Sequence, residues 1–134
     1  MDRRPSARTT DDAIARIKAL LGERLSTAQA VRDAHGKDLT WNPAAPPDAV
    51  AFVQNTPEAQ AVVNICAACG VPVIPYGTGT SLEGHFTAPF GGICVDVSGM
   101  NQILAVNAED MDCRVEAGVT RKQLNSHLRD VGLF

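Results

Sequence analysis

The residues best suited to chemistry lie in a loop, residues 76–84, that combines glycine with hydroxyl side chains. Three glycines and three Ser or Thr residues stand there with little apolar content. Glycine lets backbone N–H groups approach a ligand without a Cβ atom in the way, and hydroxyls add further donors. A glycine-rich surface turn without a ligand is the alternative, but the density of hydroxyls favours a phosphate-binding loop.

Two familiar phosphate motifs fit this loop only in part. The dinucleotide fingerprint G-x-G-x-x-G is met at Gly77 and Gly79, but Leu82 stands in place of the third glycine. The P-loop pattern G-x-x-x-x-G-K-[ST] is met at Gly79 and Gly84, but His85 stands where the lysine belongs. A nucleoside triphosphatase of the P-loop type is therefore not expected.

A Cys-x-x-Cys pair, Cys66 and Cys69, has the spacing of a redox or metal motif. It falls in the last turn of a predicted helix, where the helix dipole disfavours a thiolate, so we expect core packing. A zinc site would have to recruit Cys94 or Cys113 from distant strands, and we predict no metal site. All four cysteines are expected to be free thiols.

The remaining polar candidates have no partners within their own segments. We expect His35, in a polar loop, and His127, on a helix, to be solvated. Glu109, Asp110 and Asp112 form an acidic cluster that could hold a cation, but they fall in a predicted hairpin turn where charge is ordinary.

The first half of the chain must position the loop through helices and short strands. Apolar spacing predicts a helix over residues 10–22 that buries Ile14, Ile17 and Leu21. Residues 34–47, rich in proline, form a loop or linker that we expect Trp41 to anchor against the domain.

A βαβ unit follows this linker. A strand is predicted over residues 48–53 and a second strand over residues 71–75. The helix between them is capped by Thr56 and ended by Gly70. Its predicted apolar stripe consists of Ala59, Val62, Val63 and Cys66.

The second half continues with strands over residues 93–97, 103–107 and 114–116, the last two joined as a hairpin through residues 108–111. A final helix begins at Thr120, in a capping-box pattern with Gln123, and ends at Gly132. Its predicted stripe is Leu124, Leu128 and Val131. Residues 133–134 look like the start of another strand, so we expect the chain to end inside a domain.

Length and charge exclude several classes of protein. The chain has 134 residues and a formal net charge of −3, which gives no basic footprint for nucleic acid. Its apolar runs are too short to cross a bilayer. The N-terminus lacks the apolar core of a signal peptide, so we do not expect export. We divide the chain into an N-terminal helical segment and linker, residues 1–47, and the first part of a cofactor domain, residues 48–134.

The loop and its surroundings resemble one superfamily. Residues 75–85 resemble the pyrophosphate loop of FAD-linked oxidases related to p-cresol methylhydroxylase and vanillyl-alcohol oxidase. Within that superfamily, the region from residue 31 to residue 134 is similar to the N-terminal part of cytochrome-linked, FAD-dependent D-lactate dehydrogenases. The resemblance is carried by residues 49–70, the loop, and residues 91–93, 100–104 and 115–120. It implies an α+β (mixed α/β) fold, the N-terminal portion of a p-cresol-methylhydroxylase-type FAD-binding domain.

The resemblance also implies how the loop is used. Backbone amides over residues 76–82 wrap the FAD diphosphate, and Gly84 allows close backbone approach. The implied cofactor-binding residues are Tyr76, Gly77, Thr78, Gly79, Thr80, Ser81, Leu82 and Gly84. Some relatives attach flavin through a histidine in this loop, and Thr80 stands at the matching position, so noncovalent FAD is expected. His85 is either a polar contact near the flavin or an ordinary loop histidine.

The family's chemistry is oxidation of D-lactate to pyruvate, with electrons passing to a cytochrome or quinone; glycolate or another 2-hydroxy acid is the alternative substrate. The family's substrate residues lie beyond residue 134, so we assign no catalytic residue and expect a 2-hydroxy acid substrate only in a longer protein. The alternatives are a non-catalytic truncated fragment and one chain of a split flavoenzyme, completed by a partner chain or by self-association. We expect a cytoplasmic chain, with peripheral association at the inner membrane in a longer enzyme.

Overall fold

The computed structural model describes residues 4–134, so residues 1–3 of the expected N-terminal segment lie outside the described residues. The helices are α1 (Ala7–Leu21), α2 (Gln29–Ala34), α3 (Thr56–Cys69) and α4 (Arg121–Leu128), with 3₁₀ turns at Gly22–Arg24 and Arg129–Val131. The strands are β1 (Leu25–Ser26), β2 (Ala49–Phe52), β3 (Val73–Tyr76), β4 (Ile93–Asp96), β5 (Ile103–Asn107) and β6 (Asp112–Val115). The fold mixes helices and strands, as expected.

The main sheet has the order β1-β2-β4-β3. β1 is antiparallel to β2, whereas β2 and β3 both run parallel to β4. The predicted β2-α3-β3 unit exists, but its two strands are not neighbours because β4 lies between them. All four residues of β4 are buried, as expected for a strand that lies between two parallel neighbours.

Helices α1 and α3 pack against each other and onto the sheet, α1 on β2 and α3 on β4. The predicted face of α1 is confirmed, since Ile17 and Leu21 are buried and Ile14 is half-buried in the core. Ser6 caps this helix by accepting a hydrogen bond from Thr9 N, and Gly22, with a φ of 59°, ends it. Helix α1, which belongs to the predicted N-terminal segment, therefore shares a core with the sheet.

The stripe predicted on α3 is confirmed at Val62 and Cys66, which are buried. It is wrong at Val63, which is 44% exposed. The helix is capped by Asn55 rather than by Thr56, one residue earlier than predicted, because the Asn55 side chain accepts from Glu58 N. Gly70 ends the helix with a left-handed φ of 64°, as predicted.

The second half follows the prediction closely. β5 and β6 form the predicted antiparallel hairpin, and Glu109 and Asp110 lie in its turn. Asp112 instead begins β6, where its Oδ1 accepts a hydrogen bond from Asn107 Nδ2 at 2.6 Å. In α4, Leu128 is buried but Val131 is 56% exposed, so the predicted stripe does not extend to Val131.

Residues 35–48 form the predicted irregular linker, but Trp41 does not anchor it, since this side chain is 91% exposed. The reason is a local hydrogen-bonded bend. Thr40 donates from N and Oγ1 to Asp38 Oδ1, and Asn42 donates from N to Thr40 Oγ1. This alternation turns residues 38, 40 and 42 toward the protein and leaves Leu39 and Trp41 facing solvent.

Candidate functional site

The glycine-rich loop leaves the sheet at the carboxyl ends of its parallel strands. Tyr76 ends β3 and pairs in register with Asp96, the last residue of β4. Phe52, which ends β2, is the other register partner of Asp96. Ligands of α/β sheets bind beyond the carboxyl ends of the strands. The loop therefore starts at the edge of the sheet where such ligands are found.

The backbone of this loop offers a run of free donors. Within the described part of the chain, no backbone N–H group of residues 77–82 donates a hydrogen bond. The next amide, that of Glu83, donates to Ser81 Oγ at 3.3 Å. Six consecutive amides are thus unpaired, and five of them belong to residues 77–81, which line a cavity of about 290 Å³. Together they form a concave, donor-rich surface of the kind that binds phosphate oxygens.

The structure brings most of the predicted site residues together. Leu82 does not line this cavity and is 65% exposed. Gly84 also lies outside the lining, beside the linker. The residues of the predicted set that line the cavity are Tyr76, Gly77, Thr78, Gly79, Thr80 and Ser81, and the others in the lining are Pro75, His85 and Phe86.

The hydroxyl groups of the loop pair with side chains. Thr78 Oγ1 and Thr80 Oγ1 are 2.8 Å apart, and either can donate to the other. Ser81 Oγ lies 3.1 Å from His85 Nδ1. These hydroxyls are therefore held near the cavity while the backbone amides stay unpaired.

Tyr76 forms one wall of the loop. Its ring packs against His35, at a centroid distance of 4.3 Å, and against Phe86, at 5.3 Å. Burial, with a smaller contribution from the Asp96 carboxylate, raises the pKa of the Tyr76 phenol above its ordinary value. The phenol therefore stays protonated at neutral pH and remains able to donate a hydrogen bond.

His35 is not solvated as expected from sequence; it is buried behind Tyr76. Its Nε2 lies 2.8 Å from Asp96 Oδ2, and its Nδ1 lies 2.8 Å from the carbonyl oxygen of Val31. Asp96 Oδ1 accepts a further hydrogen bond from Ser98 N. The expectation failed because the partner of His35 lies 61 residues away in the chain. The His35–Asp96 pair joins the linker to the carboxyl end of β4, next to Tyr76 at the start of the loop.

The far end of the loop contacts the linker at Gly84. A Cβ at Gly84 would lie 3.4 Å from Asn42 Cγ and 3.5 Å from Asp38 Oδ2. Hydrogen bonds, chiefly from the Thr40 side chain, lower the pKa of Asp38, so it is ionised. Its Oδ2 is buried with no hydrogen-bond partner in the described chain. A glycine is needed here because the linker leaves no room for a side chain.

A second cavity of about 580 Å³ adjoins the loop on the side of α4. Its walls are Gly77, Thr78 and Thr80 on one side and residues 117–122 on the other. Arg121 and Lys122, in the first turn of α4, bring positive charge to it. Sequence reasoning missed these two residues because their only signal, two adjacent basic residues at a helix start, does not indicate which loop they face.

The other candidates lie apart from this site. Cys66 is fully buried, and burial raises the pKa of its thiol to about 11, which agrees with core packing. Cys69 is half-buried and its Sγ lies 3.4 Å from both Arg16 Nη1 and Asp12 Oδ2. His127 is exposed on α4. Among residues 4–134, no group of three or more His, Cys, Asp or Glu side chains is arranged to hold a metal ion.

No helix in the described chain is long and apolar enough to cross a membrane.

Comparison with known proteins agrees with this architecture. A solved structure of p-cresol methylhydroxylase with substrate bound superposes with a TM-score of 0.78 over 96% of this chain and 26% of that one, at 22% sequence identity. At that identity the similarity establishes the fold.

Curated relatives are closer in sequence. A probable mitochondrial D-lactate dehydrogenase of Danio rerio is 42% identical over 98% of this chain and 27% of its own length. A mitochondrial D-lactate dehydrogenase [cytochrome] of Arabidopsis thaliana is 38% identical over 92% of this chain and 22% of its own length. The chain thus spans about a quarter of the length of these relatives.

The sequence model of one family, described as FAD binding domain, matches residues 47–134, which include the whole of the glycine-rich loop. The chain belongs to this FAD binding domain family.

Proposed function

We propose that the glycine-rich loop holds the diphosphate of FAD, with Tyr76, Gly77, Thr78, Gly79, Thr80, Ser81, Leu82 and Gly84 as the binding residues. The observation that carries the proposal is the run of unpaired backbone amides over residues 77–82. Unpaired donors beside a cavity are stabilised by a bound anion. Residues 76–81 reach the diphosphate directly, and Gly84 fixes the end of the loop against the linker.

The same cavities fit the two ends of a diphosphate ligand. The smaller one is lined by the loop itself, and the larger one continues from Gly77 and Thr78 toward Arg121 and Lys122. A diphosphate lying along the loop therefore meets neutral donors on one side and positive charge on the other. Long cationic side chains at the mouth also draw an anion toward the loop.

We propose that FAD is held noncovalently. Thr80 stands at the loop position that carries a linking histidine in some relatives, and its hydroxyl is paired with that of Thr78. Precipitation of the flavin-loaded chain in acid tests this. Flavin that stays in the supernatant supports the proposal, and flavin that stays with the protein pellet contradicts it.

For the longer protein, the proposed activity is oxidation of D-lactate to pyruvate, with glycolate or another 2-hydroxy acid as the alternative substrate and a cytochrome or quinone as acceptor. FAD supplies the hydride acceptor when it is bound. The residues described here bind, orient and enclose the cofactor, and we assign none of them to proton transfer. The proposed location is the cytoplasm, with peripheral association at the inner membrane, which cell fractionation tests.

The test of cofactor binding is the flavin absorbance of the purified chain after incubation with FAD and gel filtration. We expect near-equimolar flavin. ADP-ribose, which shares the diphosphate and adenosine but lacks the flavin ring, should compete with FAD, whereas riboflavin, which lacks the diphosphate, should not. Competition by riboflavin alone would contradict a diphosphate-directed loop.

A second candidate, one chain of a split flavoenzyme, is favoured by exposed apolar side chains near the site. Leu39, Trp41 and Leu82 are 86%, 91% and 65% exposed. The linker that carries the first two meets the loop that carries Leu82 through Asn42 and Gly84. Sedimentation of the chain at increasing concentration tests for self-association. If the chain stays monomeric at all concentrations, this candidate requires a different partner chain.

A further inference from the structure

We propose that His85 is a positioning residue of the cofactor loop: acting through the Ser81 hydroxyl, its protonated ring strengthens the binding of a diphosphate, so that affinity rises as the pH falls. This inference rests on the proposed function. It goes further by assigning a role to a histidine that lines the loop cavity.

The Ser81–His85 hydrogen bond links the protonation of the ring to the direction of the serine hydroxyl. Ser81 Oγ lies 3.1 Å from His85 Nδ1 and accepts a hydrogen bond from Glu83 N at 3.3 Å. When Nδ1 carries no proton, the serine hydroxyl donates to it and is not available to a ligand. When Nδ1 carries a proton, the ring donates to Oγ, and the hydroxyl proton becomes free to point into the cavity.

His85 is also the residue that can bring positive charge to the lining of this cavity. Of the residues that line it, only Tyr76 and His85 are titratable, and Tyr76 is held protonated by burial. The ring of His85 is exposed, and its centroid lies 6.0 Å from that of the Phe86 ring. Glu83, also exposed, is the other charged residue of this loop. An imidazolium at position 85 is thus the one cationic side chain that the lining of this cavity provides.

A protonated His85 ring strengthens the binding of a diphosphate in two ways. The free Ser81 hydroxyl adds a donor to the unpaired amides of residues 77–82, and the positive charge attracts the diphosphate directly. Histidine side chains generally change charge between about pH 5 and pH 8, so this gain falls in an accessible range. The His35–Asp96 pair lies behind Tyr76 and is common to every variant below, so it does not distinguish them.

The experiment measures the dissociation constants of FAD and ADP-ribose from about pH 5.5 to about pH 8.5. Both ligands carry a doubly esterified diphosphate whose charge is constant over that range. We expect the native chain to bind about tenfold more tightly at the acid end, as for one charge-assisted hydrogen bond. His85→Asn should remove most of this slope, and His85→Lys should give tight binding with little slope.

Two further variants separate the alternatives. His127→Asn, on the exposed face of α4, is the matched control and should keep the native slope. Ser81→Ala should reduce the slope if His85 acts through the hydroxyl. An unreduced slope in Ser81→Ala would overturn the proposed role of Ser81 as the intermediary.

A second readout does not depend on ligand affinity. Because coupling between two sites is reciprocal, a diphosphate ligand that binds more tightly to the protonated His85 ring must in turn favour that protonated form. Nuclear magnetic resonance of the histidine rings follows this directly. Binding with an equal slope in native chain and His85→Asn overturns this inference alone, whereas absence of FAD and ADP-ribose binding at every pH overturns the proposed function and this inference together.

Discussion

The phenol ring of Tyr76 occupies the space into which a side chain at Gly79 would project. A Cβ at Gly79 would contact Tyr76 Oη and lie 2.7 Å from Tyr76 Cζ, and the glycine itself has a φ of +66°. The Tyr76 ring can therefore lie at the start of the loop only because residue 79 is a glycine.

We expect Gly79→Leu to abolish FAD binding while leaving the fold largely intact, because the new side chain displaces Tyr76 and enters the space beside the amides. Flavin retention and a urea unfolding curve measure the two effects. Gly70→Ala is the matched control, since Gly70 has a φ of +64° with no atom within 4 Å of its Cβ position. It should cost about 1 kcal/mol of stability and keep FAD binding. Unchanged FAD affinity in Gly79→Leu would remove the loop from the proposed site.

His35→Ala should lower the free energy of unfolding by about 3 kcal/mol, because it leaves the Asp96 carboxylate buried without its main partner. Urea unfolding measures the loss. His127→Ala, at an exposed position, should change stability by less than about 0.5 kcal/mol. Combining His35→Ala with Asp96→Asn should cost less than the sum of the two single changes, and strict additivity would show that the pair does not act as a unit.

The ion pair between Arg24 and Glu58 should make the free energy of unfolding depend on pH in the acid range. Two hydrogen bonds from the guanidinium, of 2.6 and 2.7 Å, are the main cause that lowers the pKa of Glu58 to about 2. Since the folded state binds this proton more weakly than the unfolded state, the stabilisation is complete above about pH 4.5 and is lost as the pH falls toward about 2.

Unfolding curves for the native chain and Glu58→Gln across that window should therefore converge at its acid end. Glu23→Gln is the control, because the Glu23 side chain is 98% exposed in its pair with Lys18. It should leave the pH dependence of the native chain in place. Parallel curves for native chain and Glu58→Gln would contradict this assignment.

The four thiols should differ sharply in reactivity. Burial raises the pKa of Cys94 to about 12 and that of Cys66 to about 11, whereas Cys113 is exposed on β6. At mildly alkaline pH, a thiol reagent should modify Cys113 first, and Cys66 and Cys94 only as the chain unfolds. Mass spectrometry of partially labelled protein gives the order. Early labelling of Cys94 would contradict the buried central strand.

Above about pH 9, stability should fall, because the thiols of Cys66 and Cys94 ionise in the unfolded chain while they remain protonated in the folded one. Cys113→Ser should keep this alkaline dependence, and Cys94→Ala should weaken it. Urea unfolding between about pH 8 and pH 10 measures the difference. Equal alkaline dependence in the native chain and Cys94→Ala would remove Cys94 as its source.

Local patterns in the sequence predicted the elements whose cause is local. Gly22, Gly70 and Gly132 end helices as expected, because each has a positive φ that a continuing helix does not allow. Strand β5 has the predicted bounds, and the loop of residues 76–84 lies where the strand pattern placed it. Helix α2 was missed because Gln29–Ala34 is too short to show an apolar stripe.

Pairings over long separations were not predictable in this way. The insertion of β4 between β2 and β3 depends on which strand finds the central position, which no local spacing encodes. His35 and Asp96 were each unremarkable in their own segments, and only the sheet brings them together. For the site, the run of free amides could be inferred from glycine and hydroxyl content, whereas the basic residues Arg121 and Lys122 required the three-dimensional position of α4.

The central position of β4 also sets the order in which the protein can assemble. Among residues 4–134, the parallel partner of both β2 and β3 is β4, which ends at Asp96, so neither can complete its ladder until that residue has left the ribosome. A nascent chain stopped before β4 exposes the apolar edges of both strands at once. Synthesis should therefore pass through an interval, between residues 76 and 96, in which the emerging chain depends most on chaperones.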